Sequence, residues 1–238
     1  MIIEDLPWDS NFLGIRVGKT ILNNSAPVSI DSLKKWDLVY IYLQPDDELN
    51  HALLFKHKIL LADRKISFSM DLQNELIPDE NPNIYSYRSG NEDQELIELG
   101  IQSGIWSRFN IDPDFGTDNF QLLYRQWMRN SIDHKIADEV FVYRDEHGKA
   151  SGVITLANKN GYSDIGILAV DAESRGKHIG RHLVHRAKQF TITHHQPLLS
   201  VVTQEANQNA CKFYENCGFH ITNKVHICHY WKKNEHTL

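Results

Sequence analysis

The chain has 238 residues, of which 41% are hydrophobic, and a formal net charge of -6 at pH 7; this is enough chain for one large or two small domains with real cores. The acidic balance argues against a nucleic-acid partner, which would call for a basic face. No apolar run approaches membrane-spanning length, and the opening Met1-Ile-Ile-Glu-Asp5 lacks the charged and apolar regions of a signal peptide. A cytoplasmic protein with no membrane partner is therefore expected. Cys211, Cys217 and Cys228 form no metal spacing and no even disulfide set, which suits a reducing compartment.

In chain order, Leu38–Leu43 reads as a strand, Asp46 to His57 as a helix, and Ile59 to Leu72 as a strand pair or one long strand. Ile77-Pro-Asp-Glu-Asn-Pro-Asn83 is a polar linker. Beyond it come a strand Ile84 to Arg88 and a helix Asn91 to Gly104, rich in acid at its start. A second helix, capped by Asp118 or Asn119 and running to about Ile132, carries Phe120, Leu123, Tyr124, Trp127 and Met128 at apolar spacings. Glu139–Arg144 and Ser151–Leu156 flank the turn Asp145-Glu-His-Gly148 as a hairpin, and Tyr162–Val170 forms the next strand. A helix from Lys177 to about His194 ends before Pro197, Leu198–Thr203 reads as a buried strand, and a last helix stops at Gly218, a left-handed cap, before Phe219 opens the final segment.

Between the strand ending at Val170 and its helix lies Arg175-Gly-Lys-His-Ile-Gly180. A helix N-terminus offers unpaired N–H groups and the positive end of the dipole, so this turn can hold an anion without a metal. Gly176 and Gly180 allow the backbone itself to approach the ligand. The spacing fits neither the dinucleotide fingerprint nor the P-loop. It resembles the pyrophosphate-binding signature of the GNAT superfamily of acetyl-CoA-dependent N-acetyltransferases, with Arg175 first, Gly180 last, and His178 where a middle glycine is usual, so that helical dihedrals are expected at His178. Asn207-Gln-Asn-Ala-Cys-Lys-Phe-Tyr-Glu-Asn-Cys-Gly-Phe219 resembles the ending of the same family.

The resemblance implies an α/β fold over residues 84–233, a mixed central sheet flanked by helices that closes on two strands. A smaller α/β N-terminal domain, residues 1–80, precedes it, with a substrate-binding or sheet-extending role. Acetyl-CoA is the implied co-substrate, held by the backbone of Leu168, Ala169 and Val170, by Arg175, Gly176, Lys177, His178, Ile179 and Gly180, and by Asn207. Tyr214 is implied as the general acid that protonates the leaving thiolate. His178, His182 and His185 share helical spacings, but no matching carboxylate or cysteine stands near them in sequence, so no metal is expected.

Two further patterns bear on the acceptor. Leu54–Phe68 aligns without gaps to Phe213–Ile227, with Phe55 opposite Tyr214; either two helix–strand units coincide, or the N-terminal region is a truncated GNAT-like half without the hydroxyl and the phosphate loop. The segments Leu6–Gly14, Ser107–Phe115 and Tyr124–Trp127 resemble the acetyltransferases of dTDP-4-amino-4,6-dideoxy-D-galactose (dTDP-fucosamine), which implies a nucleotide amino sugar as partner. Trp8 and Phe109, with Phe12, offer faces for a base or sugar, and Arg108 a fork for nucleotide phosphate; the alternative for Trp8 and Phe12 is a staple of the N-terminus to the core. Asp164, Asp112 and Asp114 are the carboxylates open to a role as base, unless the amine loses its proton to water. Another primary amine (a protein N-terminus, a polyamine, an antibiotic) and a non-catalytic acyl-CoA sensor remain alternatives, and a homodimer is left open.

Overall fold

The computed structural model describes residues 1–22, 27–73, 75–76, 81–88 and 93–232. Its strands are β1 (Glu4–Asp5), β2 (Val17–Ile21), β3 (Leu38–Leu43), β4 (Leu60–Asp71), β5 (Ile84–Ser86), β6 (Glu139–Arg144), β7 (Ala150–Lys159), β8 (Tyr162–Val170), β9 (Leu198–Gln204) and β10 (His220–Trp231). Its helices are α1 (Pro7–Leu13), α2 (Ile30–Leu33), α3 (Glu48–Lys56), α4 (Asp93–Ser103), α5 (Arg108–Ile111), α6 (Thr117–Ile132), α7 (Ile179–Thr193) and α8 (Gln208–Asn216). All the described strands join one mixed sheet in the order β1-β2-β3-β10-β4-β9-β8-β7-β6-β5.

Alternation along the central strands buries two faces at once. Ile66, Phe68 and Met70 of β4 join Leu199 and Val201 of β9 in the core beneath α7 and α8, whereas Val17 of β2 and Tyr40 of β3 face the aromatic cluster of Phe109, Phe115, Phe120 and Tyr124. Period-2 alternation places such residues on opposite faces of a strand. On the other side of the N-terminal strands, Val39, Ile41 and Leu54 pack with Leu33 and Trp36.

The sheet departs from the expected ending on two strands. After α8 the chain makes one long strand, β10, which lies against β3; the place beside β9 is filled by β4 from the N-terminal region. Each half therefore lends its last strand to the other, and β4 pairs antiparallel with β10 at the centre. The registers match. The shift that carries Phe68 to Ile227 turns the β4·β9 pairs Ser67↔Val202, Phe68↔Val201, Ser69↔Ser200, Met70↔Leu199 and Asp71↔Leu198 into the β10·β3 pairs His226↔Leu43, Ile227↔Tyr42, Cys228↔Ile41, His229↔Tyr40 and Tyr230↔Val39. β2 runs parallel to β3 as β8 does to β9. The ungapped repeat read from the sequence thus corresponds to two helix–strand units, α3–β4 and α8–β10, related by a local twofold.

Smaller differences have local causes. α6 starts at Thr117 behind Gly116, whose φ of 82° suits glycine, and the Asn119 side chain donates to Phe115 O (2.7 Å) instead of capping. Short helices α1 and α5 form in segments to which the sequence reading assigned no element. The start of α4 at Asn91 and most of the linker, residues 77–80, lie outside the described residues.

Candidate active site

β8 and β9 stay paired only from Ser163↔Leu199 to Ile165↔Val201. The cause lies one strand away: β7 pairs Ile154 with Leu168 and Leu156 with Ile165, so Thr155 opposes both Gly166 and Ile167, a bulge. Thr155 Oγ1 accepts the Ile167 N–H at 2.9 Å, and a Cβ at position 166 would stand 2.9 Å from that oxygen. Such a bulge bends the strand and increases its twist. Beyond it β8 follows β7 and leaves β9, so the edge of Leu168, Ala169 and Val170 that would face β9 has no partner strand among the described residues.

The chain then enters the turn. Asp171 accepts the Glu173 N–H (3.2 Å) and contacts Lys149 Nζ, and Arg175 Nε donates to Val170 O (3.3 Å). Gly176 and His178 have φ of 81° and 60°, both left-handed. His178 is therefore not helical, as expected from its side chain, but keeps the glycine-like conformation; it is the N-cap, and α7 begins at Ile179 rather than Lys177. Histidine tolerates this region better than branched residues do. At Gly180 a Cβ would lie 3.2 Å from the Phe213 ring, so α7 approaches α8 this closely only without a side chain. Gly176, His178, Ile179 and Gly180 line a cavity of about 440 Å³ that also receives Arg181 and Lys212. Positive side chains, free N–H groups and the helix dipole together make it suitable for phosphates. Lys177 is exposed at the turn and lines neither this cavity nor its neighbour.

The adjoining cavity, about 290 Å³, brings Leu168, Ala169 and Val170 together with Asn207 and Tyr214, and shares Arg175 and Gly180 with the first. Asn207 caps α8 by accepting the Ala210 N–H at 3.2 Å. That fixes the helix, and Tyr214, two turns on, packs against Phe68, Phe213 and Phe219 at ring-centre distances of 5.8, 5.3 and 5.6 Å. Tyr214 is 6% exposed and its hydroxyl bonds to none of the described residues. Burial raises its pKa well above the usual tyrosine value, so the hydroxyl keeps its proton. Trp106, 42% exposed, stands at the α4 end of the cavity.

The expected acceptor residues lie in a different group. Trp8 stacks on Phe12 at 5.3 Å and is 42% exposed. Phe109 is buried, enclosed by Tyr40, Phe115 and Trp127, with the Arg108 guanidinium 4.3 Å from its ring centre. Its ring supports Arg108, which corrects the expectation of an open stacking face. Arg108 also sits 4.0 Å from the Tyr40 ring centre, and its Nη1 lies 3.1 Å from His229 Nε2. His229 Nδ1 in turn donates to Asp112 at 2.6 Å. Asp112, 1% exposed, also accepts from Trp231 Nε1 (2.8 Å) and the Asp114 N–H (2.9 Å). Its oxygens are thus committed to structure. Burial pushes the Asp112 carboxyl up, but the hydrogen bonds from His229 and Trp231 outweigh it and leave it below the usual range. Asp164 lines a separate cavity beside Thr155 and Gly166, where burial raises its pKa.

The sequence reading missed Asp63, Lys65, Tyr40 and His229, which gather around Arg108. One signal was present: Asp63-Arg-Lys65 places three charges inside a strand of the central sheet, where charged residues are rarely buried without a reason.

Residues 104–219 match the sequence model of the Acetyltransferase (GNAT) family. The matched residues are just under half of the chain, and over them the chain is similar in sequence to that family. The spore coat polysaccharide biosynthesis protein SpsD of Bacillus subtilis (strain 168) is 24% identical over 142 residues, 60% of this chain and 48% of that protein. The chain thus spans about half the length of that relative. Streptothricin acetyltransferase A of the same organism is 27% identical over 126 residues, 51% of this chain and 69% of that one. A functionally unknown conserved protein from Staphylococcus epidermidis ATCC 12228 superposes with a TM-score of 0.66 at 11% identity, covering 91% of this chain and 84% of the other, a likeness of fold.

Proposed function

We propose that the chain is an acetyl-CoA-dependent N-acetyltransferase acting on the amino group of a nucleotide-activated amino sugar, dTDP-4-amino-4,6-dideoxy-D-galactose foremost, in bacterial surface polysaccharide synthesis. One observation carries the chemistry: the phosphate turn, the splayed edge of β8 and the protonated Tyr214 hydroxyl share two adjoining cavities. In this reading the turn Arg175–Gly180, with Arg181 and Lys212, holds the phosphates of the coenzyme. The edge of β8 at Leu168, Ala169 and Val170 meets its pantetheine arm, an edge interaction of the kind sheets offer, and one N–H that points away from β7 polarises the thioester carbonyl. Tyr214 gives its proton to the departing sulfur. Asn207 holds α8 in register with the cavity.

The sugar assignment is supported by the SpsD relative, named for polysaccharide biosynthesis, and by two separate features, the exposed Trp8 ring and the Arg108 cation over the Tyr40 ring. The N-terminal region is read as a truncated GNAT-like half: Phe55 occupies the place of Tyr214 but is 84% exposed and without a hydroxyl, and β2 and β3 remain paired along their length with no splay. Its contribution is β4 and the acceptor side of the sheet. The similarity to a streptothricin acetyltransferase favours a second reading, acetylation of an antibiotic amine. Thiol release from acetyl-CoA separates them, measured with the dTDP-4-amino sugar, its glucose epimer, streptothricin and spermidine. Turnover on one dTDP sugar supports the first reading; turnover on streptothricin alone replaces it with the second.

A further inference from the structure

We infer that Asp63 is the residue that receives the acceptor's amino group and takes its proton, contributed to the site by the strand that the N-terminal half lends to the sheet. This rests on the acetyltransferase reading above. The position is set by register: Lys65 of β4 pairs with Gln204, the last residue of β9, and the Glu205 N–H donates to Arg64 O at 2.8 Å. Asp63 therefore stands where β9 ends, at the wide mouth of the opening between β8 and β9, on the same face of β4 as Lys65.

Asp63 is 7% exposed, yet its Oδ1 has no hydrogen-bond partner among the described residues. A buried carboxylate oxygen left unpaired is costly, and an ammonium group arriving from the cleft satisfies it. The groups facing it are Arg108 from α5, Lys65 from its own strand, Gln204 from β9 and Tyr124 from α6. Burial is the main influence and raises its pKa to about 6, with Arg108, Lys65 and Gln204 pulling the other way. A base with that value is ionised at neutral pH and still able to accept a proton. Lys65 reports what happens to a primary amine here: burial first, then Arg108, lowers its pKa. An acceptor amine in the same surroundings is likewise easier to deprotonate. Of the carboxylates expected from the sequence, Asp112 is occupied in holding His229, and Asp164 lines the cavity beside Thr155, from where its charge acts on Lys65.

The balance is complete without a further reactant. Asp63 takes one proton from the ammonium and releases it to solvent. The neutral nitrogen attacks the thioester carbonyl, forming C–N. Collapse of the adduct breaks C–S, the thiolate leaves with the Tyr214 proton, and the second proton lost by nitrogen restores Tyr214 through water.

The test compares the wild type with Asp63→Asn and Asp63→Glu in thiol release across pH, using dTDP-4-amino-4,6-dideoxygalactose, methylamine and hydroxylamine, the last already neutral at pH 7. Asp63→Asn is expected to lower kcat on the sugar and on methylamine by about 10²- to 10⁴-fold, to abolish the acid limb near pH 6, and to change hydroxylamine turnover by less than about tenfold; Asp63→Glu restores a limb. An acid limb that survives in Asp63→Asn, or an equal loss on hydroxylamine, overturns the role. If the sugar is not turned over while the two small amines are, the substrate assignment falls, and the methylamine-to-hydroxylamine ratio still decides for or against Asp63.

Discussion

Arg108 Nη1 and His229 Nε2 lie 3.1 Å apart across 121 residues of sequence. Because His229 Nδ1 donates to Asp112, Nε2 is the bare nitrogen and accepts from the guanidinium. Burial, chiefly, lowers the His229 pKa to about 4, with Arg108 acting in the same direction and Asp112 against it. The imidazole is therefore neutral. Arg108 is thus oriented by a neutral partner, while its charge acts on the carboxyls of Asp9 and Asp63 without a recorded ion pair to either among the described residues; an acceptor's anionic group would meet the same cation.

His229→Gln removes the aromatic link while keeping much of the volume. The expected result is a rise of about tenfold in acceptor KM, the cost of one charge-assisted hydrogen bond. Acetyl-CoA affinity, measured by calorimetry, is expected to stay within twofold to threefold (about 0.5 kcal/mol), because the two cavities proposed for the coenzyme do not include this residue. An equal loss in both constants would mean a general collapse of the fold.

Asp63 imposes a stability cost that its replacement relieves. The carboxyl is harder to ionise in the fold than in the unfolded chain, so the folded state binds the proton more tightly between pH 3.8 and about 6, and stability falls as pH rises through that window. Asp63→Asn is accordingly expected to be more stable than the wild type at pH 7.5 by about 1–3 kcal/mol, and the gain disappears below about pH 4. Urea denaturation at the two pH values reads both numbers. His229 has the opposite sign: its lowered pKa means that the stability it brings is present above about pH 6.5 and is lost as pH falls toward about 4.

Tyr214→Phe retains the ring contacts with Phe68 and Phe219 and removes only the hydroxyl. Turnover is expected to fall by about 10²- to 10⁴-fold with acetyl-CoA affinity and thermal stability nearly unchanged. Undiminished kcat under saturating substrates would remove this hydroxyl from the mechanism.

Gly180→Ala brings a methyl to within 3.2 Å of Phe213. The ring or α7 must shift by a few tenths of an ångström, and either movement disturbs the phosphate cavity. Acetyl-CoA affinity is expected to fall by about tenfold (~1.4 kcal/mol), whereas dephosphorylated pantetheine thioesters, which do not need the turn, lose less. Paired calorimetric titrations distinguish this from a general loss of fold.

What could be read from the chain depended on how locally each feature is encoded. The turn Arg175–Gly180 and the run Asn207–Tyr214 are short stretches in which helix caps, glycines and a helical repeat fix most of the geometry within a few residues, so a helix-opening turn and a capped helix were legible before any fold was known, the left-handed backbone of His178 excepted. The paired units Leu54–Phe68 and Phe213–Ile227 were also visible, because each carries its own helix–strand pattern. That β4 and β10 exchange places was not, since two apolar strands of equal length pair equally well by pattern, and their neighbours are chosen only when the whole sheet closes. Asp63, Arg108, Asp112 and His229 come from β4, the α5 segment and β10. Nothing in their spacing announces the cluster, and only burial in a shared, water-poor interior makes their charges interact strongly enough to set one another's protonation.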